Sequence, residues 1–483
     1  MKITKKSLII VCAILLALVI IGIVLWFILA SEHPIPAEDA KEAYTSAVAN
    51  INNSSVLSYC VSSERQFQFT DQVLTEISTQ NISYDPQSCS ATESTQIGSY
   101  VYNTSEILHD NTLYYTIQSS HFACSKDRTE WIGSKVPAIA TDIANYNTIT
   151  ATKHKGVIQI CLSDPIRAES WIPYQEYELI SASAVITLGS TDYLLESTYT
   201  ATIQLEQMQI FLVVNVKVDS NATPPLDAPA DTENYVYTEH TDALLALEYA
   251  CGYLLDAKSV TSEYTDFIQC EAFGDQRQQR ITVNAVDNGS WSSSIQRTIT
   301  LSNTGITDSQ SVLTKTDLFF NGEATTRTDG SNPVIDPDTD ESAAKTAAQD
   351  ILVGTIMLPQ HIASISITQT DNTLTYHFTG NEAFAQLLAS EASVTLYRDG
   401  VFLTTLSQSY RTEHISAYLT VDKLTGIPVD SGFSYTGIYT IDHVSYPLTF
   451  QATQSYTFAK TAMENIEKEA GTSLNCTPFV RQV

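Results

Sequence analysis

The sequence predicts an α+β protein: an N-terminal transmembrane helix followed by two domains, each a curved antiparallel sheet (a half-barrel) with helices on one face. Three observations predict it. Ser7 to Ala30 contains no charged residue. The remainder gives one order of elements twice, a helix and then long runs alternating apolar and polar side chains, the period-two signature of half-buried strands. Between the copies lies Asn221–Thr238, whose Pro224, Pro225 and Pro229 read as an extended linker.

Taken in order, Lys2, Lys5 and Lys6 precede the apolar run SLIIVCAILLALVIIGIVLWFILA. At about 1.5 Å per residue such a run crosses the roughly 30 Å hydrocarbon core. It exceeds the apolar region of a cleaved signal peptide, about 7–15 residues, and Trp26 and Phe27 stand where interfacial aromatics do. Ile10 and Val11 before Cys12 are not the small residues that lipidation wants. The sequence therefore predicts a cytoplasmic N-terminus at 1–6 and a signal anchor at 7–30. Because basic flanks stay inside, the expectation is a single-pass cell-membrane protein with its bulk extracytoplasmic.

The first domain is expected at 36–220 and opens with a helix over Glu38–Ile51, which puts Ala40, Ala43, Tyr44, Ala47, Val48 and Ile51 on one face. Two alternating runs follow, joined at Thr70-Asp71. The second domain, 239–458, opens with a helix over Asp242–Ala257 and two runs joined at Gly274-Asp275. Later elements pair off in the same way: Leu113–Tyr115 with Leu318–Phe320, a second helix at Val136–Tyr146 with one at Glu341–Val353, and a strand at Val157–Leu162 with one at Leu374–Thr379. Short helical pieces at Asp164–Ser170 and Asn381–Ala389 come next, and long strands that start at Ser183 and Ser416 close each copy. A C-terminal helix and tail occupy 459–483.

One local motif carries a resemblance. Val421-Asp422-Lys423-Leu424-Thr425-Gly426-Ile427-Pro428-Val429 ends a strand in D-x-x-T-G-x-P, with a hairpin turn at Lys423–Gly426. Together with the helix-then-sheet order, this resembles the LolA/LppX-like lipoprotein-carrier superfamily, in tandem. The first copy departs from the motif at Leu188–Tyr193, where no Thr-Gly-x-Pro occurs. The resemblance implies a half-barrel without catalytic residues, which in some members carries lipid.

Composition narrows the function. Asp and Glu number 54 against 25 Lys and Arg, a formal net charge of −29, which argues against nucleic acid or anionic lipid as a partner of the bulk chain. Outside the apolar run lie Cys60, Cys89, Cys124, Cys161, Cys251, Cys270 and Cys476, an odd set in a compartment that permits disulfides; pairing within each copy is the economical expectation. No GxSxG, HExxH, Walker A or GxGxxG motif occurs, and the histidines are scattered. Ser342-Ala343-Ala344-Lys345 matches SxxK without the elements that should follow it. Asp336, Asp338 and Asp340 alternate like calcium ligands, but Glu341 and Ala347 stand where an EF-hand needs Gly and Glu. Asp340 instead suits the cap of the following helix.

No catalytic residue, cofactor or metal is expected. The expected function is a membrane-anchored, non-enzymatic cell-envelope protein that binds a lipid or other apolar ligand in a half-barrel. The alternative is an envelope scaffold, recognising protein or cell wall with no small ligand. Expected partners are the membrane, through the N-terminal helix, and a lipid or envelope protein. The candidate cavity-lining residues are Phe433, Tyr435 and Tyr439 on one strand and Tyr446, Leu448 and Phe450 on the next, each set sharing a face at period two.

Overall fold

In the computed structural model the described residues are 33–458 and Ile466, except 69–72, 136–142, 166–171, 173–176, 190–192, 206–207, 220–222, 234, 271–273, 288–289, 303–309, 329–330, 386–394, 399–400, 405–409 and 442. They form a mostly-β protein of two large sheets with few helices, which corrects the expected α+β class. The cause is Ser and Thr. Strands such as Cys89–Ile97 (CSATESTQI) and Ser290–Ser302 (SWSSSIQRTITLS) carry little apolar signal. Yet β-branched and hydroxyl side chains fit a pleated surface with one wet face.

A second correction concerns the membrane. Among the described residues no helix is long and apolar enough to cross one. The expected transmembrane signal anchor at 7–30 lies outside the described residues, and with it the helix expected within 459–483 apart from Ile466. The single-pass location with the N-terminus inside therefore finds no support and is not carried further.

The first sheet has 13 strands. From its centre run β2 (Leu57–Gln68), β3 (Val73–Tyr84), β4 (Cys89–Ile97), β5 (Tyr100–His109), β6 (Thr112–Ile117) and β7 (Ser120–Ser125). The chain then crosses to the far edge and returns through β8 (Tyr146–His154), β9 (Val157–Pro165), β10 (Glu178–Leu188), β11 (Leu194–Leu205) and β12 (Met208–Asp219), which pairs with β2. Two very short strands close the edges, β1 (His33–Ile35) on β8 and β13 (Val236–Tyr237) parallel to β7, which blunts the edges against pairing with other chains.

The second sheet has 11 strands in the same order. Outward run β14 (Ser259–Cys270), β15 (Gly274–Asp287), β16 (Ser290–Ser302), β17 (Gln310–Phe320), β18 (Glu323–Thr328) and β19 (Val334–Ile335). The return is β20 (Ile362–Gln369), β21 (Thr373–Gly380), β24 (Tyr410–Asp422), β25 (Pro428–Ile441) and β26 (Val444–Thr457), which pairs with β14. A separate hairpin joins β22 (Thr395–Arg398) to β23 (Val401–Thr404).

Strand order also corrects part of the pairing read from sequence. Leu113–Tyr115 lies in β6, whereas Leu318–Phe320 ends β17, whose counterpart is β5. Of the helix expected at Val136–Tyr146, 136–142 lie outside the described residues; a 3-10 turn spans Ile143–Asn145, Tyr146 is already in β8, and a helix not expected from sequence, α2 (Arg128–Lys135), precedes them. Of the helical piece expected at Asp164–Ser170, Asp164 and Pro165 belong to β9 and 166–170 lie outside the described residues; Gly274 and Asp275 are paired strand residues of β15.

Helices cover one face of each sheet. α1 (Ala37–Asn52) packs on β8, β10 and β11, burying Ala40, Tyr44, Ala47 and Ile51. α3 (Thr241–Asp256) lies between the sheets. Its Leu244, Leu247, Ala250 and Leu254 join the core of the second sheet, and Tyr253 joins that of the first. Gly252 permits this approach, because a Cβ there would stand 2.7 Å from Ile97 Cδ1. The D-x-x-T-G-x-P turn reaches the same seam. Asp422 Oδ1 accepts from Thr425 N at 2.8 Å, Gly426 takes φ +73°, and Ile427 is buried in the first sheet's core.

The seam is polar as well as apolar. Arg65 on β2 faces Glu76 on β3, pairs with its carboxylate and donates to Tyr249 Oη at 3.1 Å. Tyr253 Oη donates to Glu76 Oε2 at 3.1 Å, and Tyr100 donates to Glu248. Burial holds the Glu248 carboxyl above its ordinary range, and does the same for Asp256, Asp266 and Asp430. These groups bind protons in the folded chain where the unfolded chain has lost them. Their contribution is full below the unfolded carboxylate pKa and is lost as pH rises through the folded values. Asp85 and Asp336, held low chiefly by hydrogen bonds, act oppositely and only at lower pH. Melting temperature is therefore expected to rise as pH is lowered from neutrality towards the carboxylate range, and Glu248→Gln should flatten that rise. A stability maximum at or above pH 7, unchanged in the variant, would contradict it.

The cysteines do not pair as expected. Cys60, Cys89, Cys124, Cys161, Cys251 and Cys270 are all free thiols, and Cys476 lies outside the described residues. Strand register explains it: Cys60 faces Asn81, Cys89 faces Leu108, Cys124 faces Leu113 and Cys161 faces Val185, so none meets another. Burial pushes the Cys251 thiol up to about 12 and raises Cys60, Cys89 and Cys124. Iodoacetamide is expected to label exposed Cys161 in the native chain and to reach Cys89, Cys124, Cys251 and Cys270 only in denaturant. Equal labelling of Cys161 and Cys251 by peptide mapping would refute this placement.

Candidate functional site

The register of β25 and β26 brings the six candidate residues to one face. Tyr435 faces Phe450, Gly437 faces Leu448 and Tyr439 faces Tyr446, with Phe433 two residues before Tyr435. Tyr435 and Phe450 stack at 4.9 Å, and Phe433 lies 5.2 Å from Phe450. Tyr435, Leu448 and Phe450 are buried in one packed cluster with Leu244 and Leu247 of α3 and Phe378 of β21, so the chain's own helix occupies this part of the face. Phe433 and Tyr446 are partly buried against the cluster, and the side chain of Tyr439 lies outside the described residues. Phe433 also borders a groove of about 330 Å³, whose other lining includes Ser364, His377, Ser416, Ser434 and Gln451.

An opening of a different kind lies beside α4 (Glu341–Val353), which has the bounds expected from sequence. Asp340 caps the helix, its Oδ1 accepting from Ala343 N at 2.8 Å, so the acidic run here serves local structure. Asp336 accepts from Thr339 Oγ1 at 2.7 Å, which holds its carboxyl below the usual range. Among the described residues no group of His, Cys, Asp and Glu could hold a metal ion.

α4 packs on β15 and β16, where Ala348 meets Trp291 and Phe319, while Leu352 joins the core that α3 serves; both are 0% exposed. Its Ala343, Ala344 and Ala347 are too small to close the remaining gap, and a wedge of about 280 Å³ stays open between helix and sheet. That volume is room for roughly nine water-sized groups. The floor is apolar: Ile295, Phe319 and Ala324, backed by Trp291, whose ring lies 5.6 Å from Phe319. The mouth is polar, with Ser293, Lys315, Asp317, Thr326, Asp336 and Thr339. Lys315 Nζ stands 2.9 Å from Asp317 Oδ1, which also accepts from Thr326 Oγ1 at 2.7 Å.

The roof is held firmly. Gln454 Nε2 donates to Ile351 O at 3.1 Å and to Ser262 Oγ at 2.6 Å, while its Oε1 accepts from Thr355 Oγ1 at 3.0 Å. Gln349 Nε2 donates to Leu255 O of α3 at 2.9 Å. These bonds are buried or half-buried and mutually satisfied, which fixes one position for the helix. Farther along the same sheet face, Asp266 Oδ2 accepts from Tyr264 Oη and Gln278 Nε2, both at 2.8 Å, and Arg280 lies over the Tyr264 ring at 4.2 Å.

Sequence reasoning missed this wedge. It depends on which strand residues lie opposite one another, and nothing local in β16 or β17 fixes that pairing. The one available signal was the alanine-rich face of α4 within an otherwise ordinary helix.

No family model matches the chain, and no curated protein matches it. Among solved structures it is similar to a LolA superfamily protein from Nitrosomonas europaea, at 8% identity over 44% of this chain and 90% of that one, TM-score 0.15. Kievitone hydratase from Nectria haematococca gives 8% identity over 84% and 90%, TM-score 0.12. OccK10 from Pseudomonas aeruginosa gives 7% identity over 84% and 99%, TM-score 0.11. Likeness to the LolA superfamily is thus weak and at the level of fold alone, and scores this low carry no argument about function.

Proposed function

We propose that the chain is a non-enzymatic binding protein whose second sheet takes the apolar part of an amphiphile beneath α4. The observation that supports this reading is the wedge itself, an apolar floor with a polar mouth under a fixed helix. Ligand pockets are built in this way, apolar walls with a few convergent polar groups. The wedge lining holds hydroxyls, carboxylates and one amine. A scaffold role without a small ligand is the second reading, favoured by the way α3 fills the centre of the second sheet.

The test is titration with N-phenyl-1-naphthylamine, an uncharged fluorophore that brightens in apolar surroundings. Saturable binding is expected, and Ala344→Trp, which fills the wedge from a half-buried position, should abolish it while leaving the melting temperature near that of the parent. No saturable binding, or binding indifferent to Ala344→Trp, favours the scaffold.

A further inference from the structure

We propose that Arg280, Arg297 and Lys315 form a binding site for an anionic headgroup, so that the amphiphile under α4 is an anionic one. This rests on the preceding reading and adds the chemistry of its ligand. The three cations stand in one row across three strands: Arg280 faces Arg297, and Arg297 faces Lys315. They share the helix-covered face with Ile295 and Asp317 of the wedge, one pleat repeat away, which is about 7 Å along the strand.

Like charges directly opposite one another destabilise a sheet. Three in a row, in a chain of net charge −29, therefore need a compensating anion. The neighbouring carboxylates do not supply it fully. Asp317 is engaged by Lys315 and Thr326; Asp266 is held through Oδ2 by Tyr264 and Gln278, its Oδ1 is buried without a hydrogen-bond partner, and burial raises the pKa of its carboxyl. Among the described residues neither Arg280 nor Arg297 makes an ion pair, and Arg280 Nε is buried without a hydrogen-bond acceptor. Burial lowers the Arg280 pKa, and the facing Arg297 charge adds to this against the opposing effects of Tyr264 and Asp266. A bound oxyanion would meet all three donors, and guanidinium pairs suit its geometry.

The geometry also orders the ligand: tail against Ile295, Phe319 and Ala324, headgroup above Arg297 and Lys315. The surrounding acidic surface repels free anions. The apolar contact therefore has to contribute to capture, and the row selects among chains that fit.

The experiment compares decyl phosphate with decyl maltoside by calorimetry on the full chain. Decyl phosphate is expected to bind at least tenfold more tightly, about the effect of one charge-assisted hydrogen bond. Arg297→Gln should remove that preference and leave maltoside affinity unchanged. Arg297→Lys should keep part of it, and Arg277→Gln, on the opposite face, should change nothing. Without ligand, Arg297→Gln should melt at or above the parent temperature, since it relieves repulsion; a clear drop would mark Arg297 as structural and overturn the proposal. Equal affinity for both amphiphiles overturns the anionic site and leaves the wedge standing. Binding of neither removes both.

Discussion

Arg65→Ala is expected to destabilise the folded chain by about 3–5 kcal/mol, towards the lower end because the arginine is partly exposed. The change leaves the Glu76 carboxylate, 1% exposed, with the Tyr253 hydroxyl donating to it across the seam. Breaking one partner of a buried pair costs more than the pair itself contributes, because the remaining charge stays desolvated. The loss also removes the guanidinium from above the Tyr249 ring, 5.6 Å from its centroid. Since Glu76 belongs to the first sheet and Tyr249 and Tyr253 to α3, both halves should melt together in the parent. In the variant the transition should move down as a whole. A change below about 1 kcal/mol in denaturant titration would show a solvated pair, as at an ordinary surface.

The second large effect is expected at Leu352→Ala, about 2–5 kcal/mol from lost burial and the cavity left behind. Leu352 is 0% exposed and anchors the last turn of α4 in the core that α3 also serves. The consequence differs from that of Arg65→Ala. Loosening α4 removes the roof of the wedge, so amphiphile affinity should fall in the fraction that stays folded. Unchanged affinity with the expected fall in stability would show that α4 does not form the site.

Much of the helical framework was legible in the sequence. α1, α3 and α4 stand within a residue or two of where their apolar periodicity puts them, because a helix is decided by contacts three and four residues apart. The D-x-x-T-G turn was legible for the same reason, since Asp422 bonds to the backbone only two and three residues on. Ser/Thr-rich strands such as β4 and β16 were not, and their abundance moved the fold from α+β to mostly β. β8 and β20, YNTITATKH and IASISITQ, alternate too weakly to be seen without their neighbours.

The aromatic stripes on β25 and β26 were found correctly as one-faced sets. Their neighbour was not, because α3 lies roughly two hundred residues earlier in the chain and nothing local tells a filled face from an open one. The row of Arg280, Arg297 and Lys315 is hidden for a related reason. Each is an ordinary polar strand residue, and only strand register sets them side by side.

The most direct test is to crosslink the chain with decyl phosphate carrying a terminal diazirine and to map the modified peptides. Adducts are expected on β16–β18 and α4, at or beside Ile295, Phe319, Ala324 and Ala344. Adducts confined to the stripe of Phe433, Tyr446 and Phe450, or spread evenly over both sheets, would contradict a ligand held beneath α4.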